Sequence, residues 1–126
     1  MKKLFYLLTA ILVLAACDTS TNYRFFLKND SSFTVVVSGV NIKSGQPFNK
    51  EITAGDNVEI TTSITWGKSK SFIEPSSVID SLLVINAMND TLQKDYHLGD
   101  NWTKSIKKEH RNNIQLYVFS FENSDF

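Results

Sequence analysis

The sequence predicts an all-β fold, a single antiparallel β-sandwich, immunoglobulin-like or similar, with about seven or eight short strands. Three observations carry that prediction. Segment after segment alternates apolar and polar residues with period two, which in an extended chain sends successive side chains to opposite faces. Clusters of Asn, Asp, Ser, Gly and Pro interrupt those segments at spacings of roughly a dozen residues, the rhythm of strands joined by turns. Only Asp100–His110 offers room for a short helix.

Tyr23, Phe25 and Leu27 alternate with Arg24, Phe26 and Lys28 and open the first strand. Asn29-Asp30-Ser31-Ser32 is turn chemistry, because these short side chains bond their own backbone. Phe33 to Val40 is the second strand, rich in β-branched residues, and the two are expected to form a hairpin. Gly39 marks a bulge or an exit. After the break at Lys43–Pro47, residues Phe48–Thr53 predict a half-exposed strand. Ala54-Gly55-Asp56-Asn57 turns the chain into Val58, Ile60, Thr62 and Ile64, the cleanest one-sided alternation of all. Ser71-Phe72-Ile73 reads as a short edge strand stopped by Pro75. Val78–Asn86 is apolar on both faces apart from Asp80 and Ser81 and reads as a central strand. A turn at Asn86–Asp90 leads into a returning strand, Thr91–Tyr96. In Asp100–His110, Asp100 suits a helix cap and Trp102 and Ile106 stand four apart, so a helix and a loop both fit. Asn113–Phe121 carries Tyr117, Phe119 and Phe121 on one face and Ile114, Leu116 and Val118 on the other, which predicts a central strand.

The start of the chain carries a different signal. Met1-Lys2-Lys3 is basic, Leu4 to Leu14 is apolar, and Ala15 and Ala16 are small, the composition of a secretory signal. A membrane-spanning helix needs about 20 apolar residues, more than this run supplies. Leu14-Ala15-Ala16-Cys17 resembles the lipobox of bacterial lipoproteins. The resemblance implies that residues 1–16 are removed, that the Cys17 thiol carries a diacylglycerol, and that its new amino group is acylated. The membrane is then the first expected partner, and the expected location is a bacterial membrane, the outer one, facing the periplasm or the exterior. Asp18–Asn22 is a short polar tether that keeps the domain, residues 23–126, close to the lipid.

Removing residues 1–16 leaves 110 of 126 residues, the size of one domain. Lys2 and Lys3 leave with the signal, so 11 basic residues face 13 acidic ones. That balance excludes nucleic-acid binding through a basic surface. Lys104, Lys107, Lys108 and Arg111 do cluster, but Asp100 and Glu109 interleave with them, as on a solvated face. The single Cys is the one the lipid occupies, so no disulfide, zinc site or thiol nucleophile is expected in the mature domain.

Tyr23-Arg-Phe-Phe-Leu-Lys-Asn-Asp-Ser-Ser32, Val35-Val-Val-Ser-Gly39, Ile52-Thr-Ala-Gly55 and the tail Tyr117-Val-Phe-Ser-Phe-Glu-Asn-Ser-Asp-Phe126 resemble small β-sandwich lipoproteins of Bacteroidota. The resemblance covers most of the mature chain and implies fold and compartment. It transfers no catalytic residues. It also gives meaning to Asp80-Ser81-Leu82 and Asp90-Thr91-Leu92, which resemble the O-glycosylation acceptor of that phylum. Thr91, at a predicted hairpin, is the better candidate, since Ser81 is expected to enter a buried strand.

Chemistry is scarce. A hydrolase triad would need His97 or His110 beside a Ser and an acid, and Asp95 lies two residues from His97, but no Gly-x-Ser-x-Gly elbow is present. No spacing matches a metal site, no phosphate-binding glycine pattern occurs, and no cofactor is expected. Trp66 and Trp102 lie in polar stretches and are the candidate binding residues. Each indole either stands exposed, to stack on a glycan or anchor a protein, or folds back to plug the core. The expected function is a non-catalytic, lipid-anchored binding module with an envelope protein or glycan as partner. The alternatives are a small hydrolase using His97 or His110 and a structural subunit of a surface assembly.

Overall fold

The computed structural model describes residues 19–69 and 71–126. Seven strands form two facing sheets: β1 (Ser20–Asn29), β2 (Val35–Asn41), β3 (Gln46–Ile52), β4 (Asn57–Trp66), β5 (Ile79–Asn86), β6 (Trp102–Glu109) and β7 (Asn112–Phe121). The larger sheet has the order β4-β1-β7-β6 and the smaller β3-β2-β5. The all-β sandwich is as the alternation predicts. In β1 every second residue from Thr21 to Asn29 is buried, and β7 repeats the pattern from Asn113 to Phe121. Tyr23, Phe25, Leu27, Tyr117, Phe119 and Phe121 meet Val35, Val37, Ile52 and Val84 of the smaller sheet across one core. Phe25 stacks on Tyr117 at 4.7 Å between ring centroids. Each such buried side chain contributes about 1.5–3 kcal/mol of transfer free energy.

Strand β7 is central, as its two apolar faces predict. Its partner, however, is β1 in parallel, with Phe25 opposite Tyr117 and Leu27 opposite Phe119. The sandwich is therefore not antiparallel throughout. Nor is its order that of an immunoglobulin domain, where the first strand pairs with the second and the last strand lies in the other sheet.

Other expectations are corrected by what each segment must bury. Strands β1 and β2 form no hairpin, because their apolar faces oppose one another across the core and so belong to different sheets. The Asn29 side chain steers the crossing: its amide donates to the carbonyls of Phe33 (2.7 Å) and Ile52 (3.0 Å), and its oxygen accepts from the Ser31 N–H at 3.0 Å. Strand β5 is an edge and not a central strand, with Leu83 exposed. Its register against β2 shifts between Ser38 and Val40, and Ser81 at φ 56° is exposed rather than buried. Gly39 sits in that bulge because a Cβ there would stand 2.5 Å from the Phe48 ring, which packs on it.

Within Asp100–His110, Trp102–Glu109 is the strand β6, entered through a single 3-10 turn at Gly99–Asn101 and left by the turn at His110, so the segment is neither an α-helix nor a loop. Two positions four apart share a face in a strand as well as in a helix, and Trp102 pairs with Phe119 while Ile106 pairs with Gln115. The charged residues of β6 protect a free sheet edge. Thr91–Tyr96 makes one bridge, Thr91 to Ile85, and then leaves the sheet so that Leu92 and Tyr96 can pack on the core. Ser71–Ile73 forms no strand; the Ser71 carbonyl accepts from Gln115 and the Ile73 N–H donates to the Tyr117 hydroxyl instead. Strand β1 begins at Ser20, within the expected tether, since Thr21 is wholly buried and its hydroxyl is bonded on both sides. The signal 1–16, Cys17 and Asp18 lie outside the described residues.

Candidate functional site

Trp66 closes β4 and is 83% exposed, so the outward-facing reading holds for this indole. Ile64, two residues earlier, shares its face of the sheet and is 64% exposed. The backbone beneath them is tied to the start of the chain. Trp66 pairs with Ser20, and the Gly67 N–H donates to the Thr19 carbonyl at 2.6 Å. Gly67, at φ 91°, makes the turn that a side chain would oppose.

Beyond it, residues 67–69 and 71–73 lie over the polar end of the inner face. The Thr21 hydroxyl donates to the Gly67 carbonyl and accepts from the Ser69 N–H, both at 2.8 Å. Asn113 donates to the Ser69 carbonyl at 3.1 Å, and Gln115 to that of Ser71 at 2.9 Å. The Tyr117 hydroxyl donates to Gln115 Oε1 at 2.6 Å and accepts from the Ile73 N–H at 2.9 Å. Burial pushes the Tyr117 phenol above its ordinary pKa of 10.0. These inward polar positions of β1 and β7 thus hold a loop where the smaller sheet offers no strand.

Trp102 takes the opposite fate. It is 4% exposed, packs edge-on to Phe25 at 5.9 Å and against Phe119 at 5.2 Å, and donates its indole N–H to the Tyr96 carbonyl at 2.7 Å. It is a core residue and offers no binding surface.

The histidines are separated. His110 occupies the tight β6–β7 turn at φ 51°, a conformation that favours glycine or asparagine. His97 is exposed and stacks on Tyr96 with ring centroids 4.0 Å apart. Its backbone N–H donates to Asp95 Oδ1 at 2.9 Å, and its Nδ1 lies 3.0 Å from the same oxygen. The backbone bond first, then the ring contact, holds the Asp95 carboxyl below its usual range. The adjoining depression of about 410 Å³ is lined by Leu82, Val84 and Leu92–His97, with no Ser or Thr among these residues. Asp95 therefore acts as a turn former for His97. Among the described residues, no group of His, Cys, Asp and Glu gathers to hold a metal ion.

Ser81 and Thr91 are both exposed, Ser81 on the β5 bulge and Thr91 beside Ile85, so burial does not separate these two acceptor triplets. An opening of about 600 Å³ lies where β3 and β4 leave the side of the sandwich uncovered, and no sequence signal marks it. Asn41, Gln46, Asn49, Thr61 and Thr62 line it with amides and hydroxyls, beside Phe48 and the charges of Lys50 and Glu59. Individually these are ordinary strand and turn residues, and only the packing of two sheets brings them together. No family model, curated protein or solved structure matches the chain.

Proposed function

We propose that this chain is a lipid-anchored cell-envelope protein, one of the small β-sandwich lipoproteins of the Bacteroidota type, whose domain is a non-catalytic binding module. The observation that carries the reading is Leu14-Ala15-Ala16-Cys17, followed within three residues by the first strand. A lipid on Cys17 then holds a rigid sandwich against the outer membrane with almost no reach, which suits a component that binds a neighbour in place. The placement of His97 beside a turn-forming Asp95, and of His110 in a hairpin, supports binding over hydrolysis. The polar β3–β4 opening has the hydrogen-bonding groups that an envelope protein loop or a glycan would need.

Metabolic labelling with palmitate tests the anchor. Label is expected on the native protein, lost in Cys17→Ser together with membrane association, while the folded domain persists. Label that survives the substitution overturns the reading. Pull-down from solubilised envelopes is expected to recover a stoichiometric partner that Asn49→Arg, at the opening, no longer holds. Peptide mass spectrometry tests the acceptor triplets; unmodified Ser81 and Thr91 in native protein would remove glycosylation from the proposal.

A further inference from the structure

We infer that the Trp66 end of the sandwich is a membrane-docking surface that seats its indole among the headgroups of an anionic phospholipid bilayer. The inference rests on the lipid-anchor reading and adds to it an orientation and a contact. Its first support is chain length. The Thr19 carbonyl is bonded to the Gly67 N–H, so only one residue, Asp18, separates that fixed point from Cys17. Two residues of extended chain span about 7 Å. The headgroup layer on each side of a bilayer is about 5–8 Å thick, so an acylated Cys17 brings the backbone of Trp66 to that layer.

The second support is chemistry. Trp66 and Ile64 are large apolar side chains, exposed on one face, which the described residues leave uncovered. An indole is apolar over its body and polar at one N–H, the combination that partitions to the membrane–water interface. Openings of about 190, 410, 440 and 600 Å³ are lined by other residues, while the indole, 83% exposed, protrudes as a wedge.

Charge is the third support. Lys68 follows Trp66, and Lys108 stands in the same register row as Thr65, Thr21 and Asn113. Glu109, the acid at this end of β6, is paired with Lys107 at 2.9 Å. The opposite end, where β1 and β7 finish, carries Asp30, Asp56, Glu122 and Asp125 against two lysines, Lys28 at 2.9 Å from Asp30 and Lys94 at 4.0 Å from Asp125, and so stays net negative. Ten-residue strands keep those acids roughly 30 Å from the tryptophan end. Lys68 and Lys108 outnumber Asp18 beside the lipid, and the acids lie at the far end, a polarity that matches an anionic surface.

The test uses the full lipidated chain reconstituted into vesicles of phosphatidylcholine and phosphatidylglycerol, with and without bromine-labelled phosphatidylcholine. Trp102 is buried and serves as an unquenched internal reference. With two tryptophans, the bromolipid is expected to lower emission about twofold in the native protein and to leave Trp66→Phe unchanged. Native protein that floats with the vesicles but is not quenched overturns the docking inference and leaves the anchor intact. Equal quenching in Trp66→Phe also overturns it. Protein that carries no acyl chain and does not float refutes the anchor reading, and the docking inference falls with it.

Discussion

Tyr117→Phe isolates the polar latch beneath the Trp66 end, because it deletes one oxygen and keeps the ring. The stack on Phe25 at 4.7 Å and the edge contact with Phe72 at 6.0 Å survive. Two bonds do not: the hydroxyl's donation to Gln115 Oε1 at 2.6 Å and the donation it receives from the Ile73 N–H at 2.9 Å. Gln115 is wholly buried, so its orphaned oxygen costs about 1–3 kcal/mol, and the half-buried Ile73 N–H adds about 1 kcal/mol. A loss of about 2–4 kcal/mol in urea unfolding is expected, with an unchanged denaturant slope. The pH dependence follows from the raised phenol. The folded protein keeps the Tyr117 proton at pH values where the unfolded chain releases it. This contribution is therefore complete below about pH 10 and is lost as pH climbs through the folded-state value. Tyr117→Phe should lack that alkaline component. A loss below about 0.5 kcal/mol would show that water reaches both orphaned groups and would refute the latch.

The two tryptophans separate cleanly. Trp102→Ala should cost about 3–5 kcal/mol in the same unfolding measurement, because it empties a core position between Phe25 and Phe119. Trp66→Ala should stay within about 0.5 kcal/mol, and a larger loss would mean that the indole packs on the domain. His110→Gly relieves a positive φ and should leave stability equal or up to about 1 kcal/mol higher; a clear drop in thermal unfolding temperature would assign His110 a contact of its own.

Local readings from the sequence succeeded where a residue's environment follows from its immediate neighbours. Tyr23, Phe25 and Leu27, or Tyr117, Phe119 and Phe121, announce an inward face because alternation is a property of the strand itself. Asp100–His110 shows the limit: a spacing of four satisfies helix and strand alike, and pairing with β7 decides. Leu82–Ile85 carries enough apolar residues for a central strand, yet no further strand pairs with its outer edge, which meets only the short return at Thr91 and Leu92. The candidate site was legible only as two tryptophans with two possible fates each. Trp102 turns inward because Phe25, Phe119 and the Tyr96 carbonyl provide a pocket and an acceptor, while Trp66 ends an edge strand with none of the described residues above it.

The sequence by itself determined the all-β class, the inward and outward faces of β1 and β7, and the lipobox pattern at Cys17, since each is written in residues adjacent along the chain. The one-sided alternation expected of Val58, Ile60, Thr62 and Ile64 fails, because the register against β1 shifts at Phe25/Phe26 and turns Thr62 and Ile64 outward. Tertiary structure alone decided that β1 and β7 run in parallel, that β1 and β2 face across the core, and that the polar cleft opens between β3 and β4. It alone placed Gly67 on Thr19, and so set Trp66 two residues' reach from Cys17. Such relations join residues far apart in sequence, and only sheet pairing and core packing bring them together.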